Sequence, residues 1–248
     1  MRETKAEWPA ETLRRVRSSW EREIKKFLAT RPGCTARERE GWPAVYRDGR
    51  CLLWPGRVYA LDSYAIGRDA VFRVSPVNYA WITARVRAAR VLGAVTLTLT
   101  SDDRLILTVR GDGVNVYPGR LHGNGGNPDR IEPIEEHQIR ETVDELFVRR
   151  SEIVRGSMFF GGVAENLQPR FQGKPLLCGW LRLKLTAREV ERRVRSRPLS
   201  EREPDAVDVE SIELSRAAFE RLLSRKRLPL CPPGASAVAV LGRHLFNI

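Results

Sequence analysis

The sequence predicts an α+β fold, on three observations. Two stretches, Val95 to Val109 and Phe159 to Leu185, contain alternating apolar runs of strand length. A third, Ile134 to Leu146, repeats its apolar residues at helical spacing, and Gly and Pro punctuate the chain between such runs. With 248 residues and 42% hydrophobic content, the chain can bury one substantial domain with an appended segment.

Residues from Ala10 to Ala29 place Leu13, Val16, Trp20, Ile24 and Phe27 three or four apart, the spacing of an amphipathic helix that docks through one face. Arg31-Pro32-Gly33 marks its end. Arg14, Arg15, Arg17, Arg22, Lys25 and Lys26 occupy the remaining surface; a solvated face is favoured there over contact with nucleic acid or a membrane. Residues 1–50 are read as this N-terminal helical segment. Between Trp42 and Arg90, Gly and Pro separate short apolar runs, CLLW, RVYAL and AVFRV, which favour β structure followed by a helix through Tyr79 to Ala89. Residues 51–90 are therefore read as a strand-rich lead-in packed on the core. Its aromatics are expected to be core first and a base-stacking surface second.

Val95 to Val109, VTLTLTSDDRLILTV, reads as two short strands around a Ser-Asp-Asp turn. A glycine-rich turn, Gly123-Asn124-Gly125-Gly126, precedes the helix expected from Ile134 to Leu146. On that helix Glu141 and Glu145 stand one turn apart with Asp144 between them, while Ile139, Val143 and Leu146 form an opposite apolar edge. The acids are expected to face outward. Like charges so stacked repel by a few tenths of a kcal/mol per pair, about 0.2–0.5, unless a cation joins them. Magnesium, a hard ion held by carboxylates and phosphate oxygens, suits that position.

Gly126 to Val148, GNPDRIEPIEEHQIRETVDELFV, resembles the Nudix box. Gly126, Glu132, Arg140, Glu141 and Glu145 stand in its register and Val148 matches its closing apolar position; Asp144 replaces a glutamate, Thr142 an apolar residue and Phe147 the closing glycine. Because Gly permits the left-handed turn that Phe resists, Phe147 predicts a looser or longer helix exit. The loops Tyr117-Pro118-Gly119 and Gly123 to Gly126 are similar to those before the box in that family, with Asn124 where proline is common.

The resemblance implies a Nudix-like α/β/α sandwich with a mixed β-sheet over residues 91–248, behind the N-terminal extension. It implies Mg2+, with Mn2+ as the alternative, held by Glu141 and Glu145, by Asp144 directly or through water, and by the carbonyl of Gly125. Glu132 would pair with Arg140 to orient the helix. The implied reaction is hydrolysis of a nucleoside diphosphate derivative, with a nucleotide sugar or capped RNA end as examples; the alternative is a weak or inactive Nudix-fold protein that binds nucleotide or nucleic acid. Beside the box, Arg110 and Arg120 are candidates for phosphate contact through their bidentate guanidinium groups. His122, in the same loop, is expected to be exposed. Glu201, Glu203, Asp205 and Asp208 are general-base candidates by location only.

Further on, Thr186 starts a basic helix that ends before Pro198, Ser215 to Arg225 reads as another helix, and Pro232-Pro233-Gly234 introduces a last one through Leu241. The net charge of +12, carried by 37 arginines and six lysines, favours polyanionic partners and makes RNA or DNA a candidate; base composition of the genome explains it equally well. Cys34, Cys51, Cys178 and Cys231 lack paired metal spacing and are read as free thiols. A charged N-terminus and the lack of a long apolar run make the cytoplasm the expected compartment and a membrane partner unexpected.

Overall fold

The structure, a computed structural model, describes residues 1–4, 8–66, 70–84, 90–112, 114, 117–166, 174–203, 206–224 and 230–248. It divides into two compact units: Met1–Leu92 with Asn127–Ile131 and Pro169–Lys174, and Gly93–Gly126 with Glu132–Gln168 and Pro175–Ile248.

In the first unit, β1 (Arg2–Glu3) is followed by helix α1 (Ala10–Ala29), which buries Val16, Trp20, Ile24 and Phe27 as its spacing predicts. Leu13 is the exception at 47% exposure: it lies in the first turn, ahead of the point where Trp20 docks by donating its indole N–H to the Pro43 carbonyl at 2.7 Å. Strands β2 (Thr35–Arg39), β3 (Trp42–Arg47) and β4 (Arg50–Leu53) form an antiparallel meander. Its turns, Glu40-Gly41 and Asp48-Gly49, take positive φ at both central residues, the conformation that matches the twist of a tight hairpin. A second antiparallel pair, β5 (Arg57–Ile66) and β6 (Ala70–Asn78), is joined by β1 running parallel to β6. The helix expected over Tyr79 to Ala89 is shorter: α2 spans Ala80–Thr83, Ala84 is a turn residue, and residues 85–89 lie outside those described. Tyr59, Phe72 and Trp81 are core residues.

The second unit follows the expected strand and helix order. Strands β7 (Gly93–Leu99) and β8 (Arg104–Val109) flank the Ser-Asp-Asp turn, with Asp103 at φ 52. After them come β9 (Leu121–His122), α3 (Ile134–Leu146), β10 (Phe159–Asn166), β11 (Lys174–Arg182), α4 (Ala187–Ser196), β12 (Asp208–Glu213), α5 (Arg216–Leu223) and α6 (Pro232–Phe246). The strand order is β10-β11-β7-β8-β12, with β9 on β8; β11 runs parallel to β7, whereas β8 is antiparallel to β7, β9 and β12, so the sheet is mixed. The sequence does not predict β12, because three of its six residues are acids and its two apolar residues, Val209 and Ile212, are three apart. It nevertheless pairs along its whole length with β8.

Alternation along β7 and β11 sorts the core into two layers. Val95, Leu97, Leu99 and Trp180 pack with Phe219 and Leu222 of α5 and Val238 and Leu241 of α6. On the other face Leu181 and Ile106 join Leu146 of α3 and Val190 and Val194 of α4. The result is a helical layer on each face of a mixed sheet. Thr186 caps α4 by accepting from the Glu189 N–H while Glu189 reaches back to the Thr186 N–H at 2.8 Å, and Ser215 caps α5. The last helix runs five residues past Leu241, because Phe246 still packs on Phe219 and Asn247 supplies the left-handed stop. No helix among the described residues is long and apolar enough to cross a membrane.

Candidate active site

The site is built where β7 and β8 part. They pair with one another only at Thr98 with Ile106 and Leu99 with Leu105. The chain leaving β9, which is paired to β8, enters the gap: Asn124 and Thr96 exchange backbone hydrogen bonds of 2.9 and 2.6 Å, and the Ala94 N–H reaches the Gly126 carbonyl at 2.8 Å. The glycines permit this closeness. A Cβ at Gly125 would lie 2.2 Å from the Ala94 carbonyl oxygen, and one at Gly123 would lie 2.7 Å from the Thr96 carbonyl oxygen; Gly125 is also at φ +144.

Helix α3 sets two carboxylates onto this loop. Glu145 is 3% exposed, and its oxygens accept separately from the Gly125 backbone N–H at 3.1 Å and the Asn124 side-chain amide at 3.0 Å. One turn earlier, Glu141 places Oε2 3.2 Å from where a Cβ of Gly126 would stand. Arg140 holds the other Glu141 oxygen at 2.9 Å and Glu132 at 3.0 Å, so one guanidinium fork bridges the helix to the segment before it. The Glu132–Arg140 pair therefore forms, and it also fixes Glu141. His137, fully buried, lies 3.0 Å from the same guanidinium.

The expectation that all three acids face outward needs correction. Asp144 is exposed, Glu141 is half-buried and Glu145 points inward. The reason is angular: residues 144 and 145 are about 100° apart around a helix, so a face that turns Glu145 to the loop turns Asp144 to solvent. The apolar edge is correspondingly displaced, with Ile139 and Val143 only partly buried and Thr142 fully buried, its hydroxyl donating to the Gln138 carbonyl at 2.9 Å.

The helix exit is also unlike the expectation. Phe147 itself takes the left-handed conformation, φ 53 and ψ 37, and α3 ends at Leu146 as a glycine would have ended it. Packing of the ring among Leu146's neighbours and under the Arg197 guanidinium, 5.5 Å from its centroid, offsets that strain.

Arg110 is buried immediately after β8, and its N–H bonds to the Arg120 carbonyl at 3.0 Å; Arg120 itself is exposed. His122 is buried rather than exposed, since β9 inserts it into the sheet and its Nδ1 meets the Gly123 carbonyl. Burial, with the Arg110 charge added, pushes its pKa down to about 3 and leaves the ring neutral at pH 7. Of the acids named by location, Asp208 pairs with Arg195 at 2.9 Å and Glu201 with Arg197 at 3.5 Å, whereas Asp205 lies outside the described residues. In the sequence Asn124 stands out only as a substitution in the loop; its contact with Glu145 depends on the strand bridge to Thr96, which no local pattern announces.

No family model matches this chain. No curated protein matches it either. Among solved structures it is similar to a MutT protein from Methanosarcina mazei Go1 at 13% identity, over 62% of this chain and 94% of that one, with a TM-score of 0.43. It is similar to DR0079 from Deinococcus radiodurans at 17% identity, over 77% and 99%, TM-score 0.45, and to a mutT/nudix family protein from Listeria innocua at 14%, over 63% and 94%, TM-score 0.43. These are likenesses only. The second unit has an α+β fold, a mixed sheet between two helical layers, in which Gly126, Glu132, Arg140, Glu141 and Glu145 are brought together by α3 and the loop before it.

Proposed function

We propose that the protein is a Nudix-type pyrophosphohydrolase that cleaves the diphosphate linkage of a nucleoside diphosphate derivative with a divalent cation, Mg2+ or Mn2+. The observation that carries this is the seating of Glu141 and Glu145 on consecutive glycines of one loop. The donor set fits such an ion. It consists of carboxylate and carbonyl oxygens, and each Glu145 oxygen that accepts a hydrogen bond retains a further lone pair. When bound, the ion would supply charge neutralisation at the phosphate oxygens and a lowered pKa for the attacking water.

In this reading Glu141, Glu145 and the Gly125 carbonyl hold the ion directly, and Asp144, turned to solvent, does so through water. Glu132 and Arg140 are positioning residues: the guanidinium fork fixes Glu141 without touching the reacting phosphorus. Arg120, exposed just before β9, and Arg110, buried just after β8, add positive charge for the substrate's phosphates. The net charge of +12 favours an anionic substrate of either size, a nucleotide sugar or a capped RNA end.

The test is incubation of the purified full chain with Mg2+ and a panel of nucleotide sugars, dinucleoside polyphosphates and capped oligonucleotides, with product release followed chromatographically. Metal-dependent release of a nucleoside monophosphate supports the proposal. Tight binding of these compounds without turnover supports the alternative, a Nudix-fold protein that only binds nucleotide or nucleic acid.

A further inference from the structure

A cavity of about 460 Å3 lies at the C-terminal end of α3 and is lined by Phe147, Arg149, Arg193, Ser196, Arg197 and Glu201. Its size is within the usual range for small-ligand sites, about 300–1,000 Å3. Its chemistry is net cationic: three guanidinium groups, of Arg149, Arg193 and Arg197, are paired with two carboxylates, of Glu152 and Glu201. We propose that this cavity is an anion site that binds the phosphate of a nucleotide, with the Phe147 ring as a surface for the base.

Two independent features support the assignment. The first is charge. Glu152, only 11% exposed, accepts from Arg193 at 2.5 and 2.7 Å and from Arg149 at 2.8 and 3.2 Å, so one carboxylate holds two guanidinium groups in place. Hydrogen bonds from Arg193 and then Arg149 hold its carboxyl well below the usual carboxylate range, keeping it ionised. The trio still carries one net positive charge, and Arg197, whose charge Glu201 balances at 3.5 Å, adds further N–H donors at the rim. Each guanidinium has five N–H donors, more than these pairs consume, and their planar forks match phosphate oxygens.

The second is an aromatic ring. Phe147 occupies a left-handed backbone position, where a bulky side chain costs about 1–2 kcal/mol that glycine does not. The ring so held is half-buried, lines the cavity and lies under the Arg197 guanidinium. An aromatic face beside clustered arginines suits a base and a phosphate together. The site is separate from the glycine loop and does not depend on the hydrolase reading.

The test is calorimetric titration of AMP into full-length Glu145→Gln protein in EDTA, repeated in that background with Arg197→Gln and with Phe147→Gly. Inorganic phosphate and adenosine are titrated as comparison ligands. AMP is expected to bind, adenosine and phosphate each more weakly, and both added substitutions are expected to weaken AMP at least about tenfold, the loss of one charge-assisted contact or of one stacking partner. Arg197→Gln removes an exposed i,i+4 pair and the guanidinium over the Phe147 ring but leaves the backbone of the helix end as it is, so it keeps the test open should Phe147→Gly alter that end. Absence of AMP binding, affinity within twofold after Arg197→Gln, or adenosine binding as tightly as AMP would each overturn the proposal. Phosphate binding as tightly as AMP would overturn the role given to Phe147.

Discussion

The side-chain amide of Asn124 donates to Glu145 at 3.0 Å while its carbonyl accepts from the Thr98 hydroxyl at 2.8 Å, all three side chains being buried. Because a carboxylate can only accept, this orients the amide. Strand β7 is thereby linked through the loop to the helix. Asn124→Ala leaves Glu145 with one donor fewer and the Thr98 hydroxyl without this acceptor, and is expected to destabilise the fold by about 2–3 kcal/mol. Urea denaturation measures this.

Gly125→Ala is expected to collapse the same loop. The new Cβ would stand 2.2 Å from a backbone carbonyl at a φ that L residues rarely adopt, and backbone has no flexible end to move aside. Loss of more than about 2 kcal/mol is expected, with thermal unfolding as the measurement. Gly119→Ala, at φ +68 but with open space around it, should lose only about 1 kcal/mol.

At position 147 the usual ranking of alanine over glycine in helices should reverse. Both substitutions remove the same ring, but only glycine relieves the left-handed strain, so Phe147→Gly is expected to be more stable than Phe147→Ala by about 1 kcal/mol. Paired urea midpoints decide it.

Acid should destabilise the fold in two steps. The pKa of His122 is depressed to about 3, so the unfolded chain takes up its proton from about pH 6.5 while the folded protein does not, and stability falls as pH drops through that window. Glu152, also depressed, contributes stability that is complete above its unfolded pKa of about 4.3 and is lost as pH falls below it. His122→Gln should remove the first step and Glu152→Gln the second, read as the pH dependence of the urea midpoint.

Much of this was legible in the sequence, for physical reasons that vary by element. The twenty residues of α1 were plain because an apolar stripe with 3.6-residue period has few other uses, and β7 and β8 because alternation and a Ser-Asp-Asp turn agree. Helical spacing on α3 was legible, with Glu141 and Glu145 one turn apart, and the Glu132–Arg140 pair forms across the start of the helix. Their direction was not legible, since which face of α3 meets the sheet is set by where the loop lies along β7, a tertiary fact. For the same reason Asn124 looked like a mere replacement, His122 like an exposed loop residue and Phe147 like a broken helix stop. β12 was hidden because pairing with β8, rather than its own composition, makes it a strand.

The most direct test of the central claim is a Mn2+ titration followed by electron paramagnetic resonance, alongside the hydrolysis assay, on the wild type, Glu141→Gln, Glu145→Gln and Asp144→Asn. A bound-Mn2+ signal is expected in the wild type, weakened in both glutamate variants together with a loss of turnover of at least about a hundredfold, with a smaller change in Asp144→Asn. Metal binding and turnover left unchanged by Glu145→Gln would contradict it.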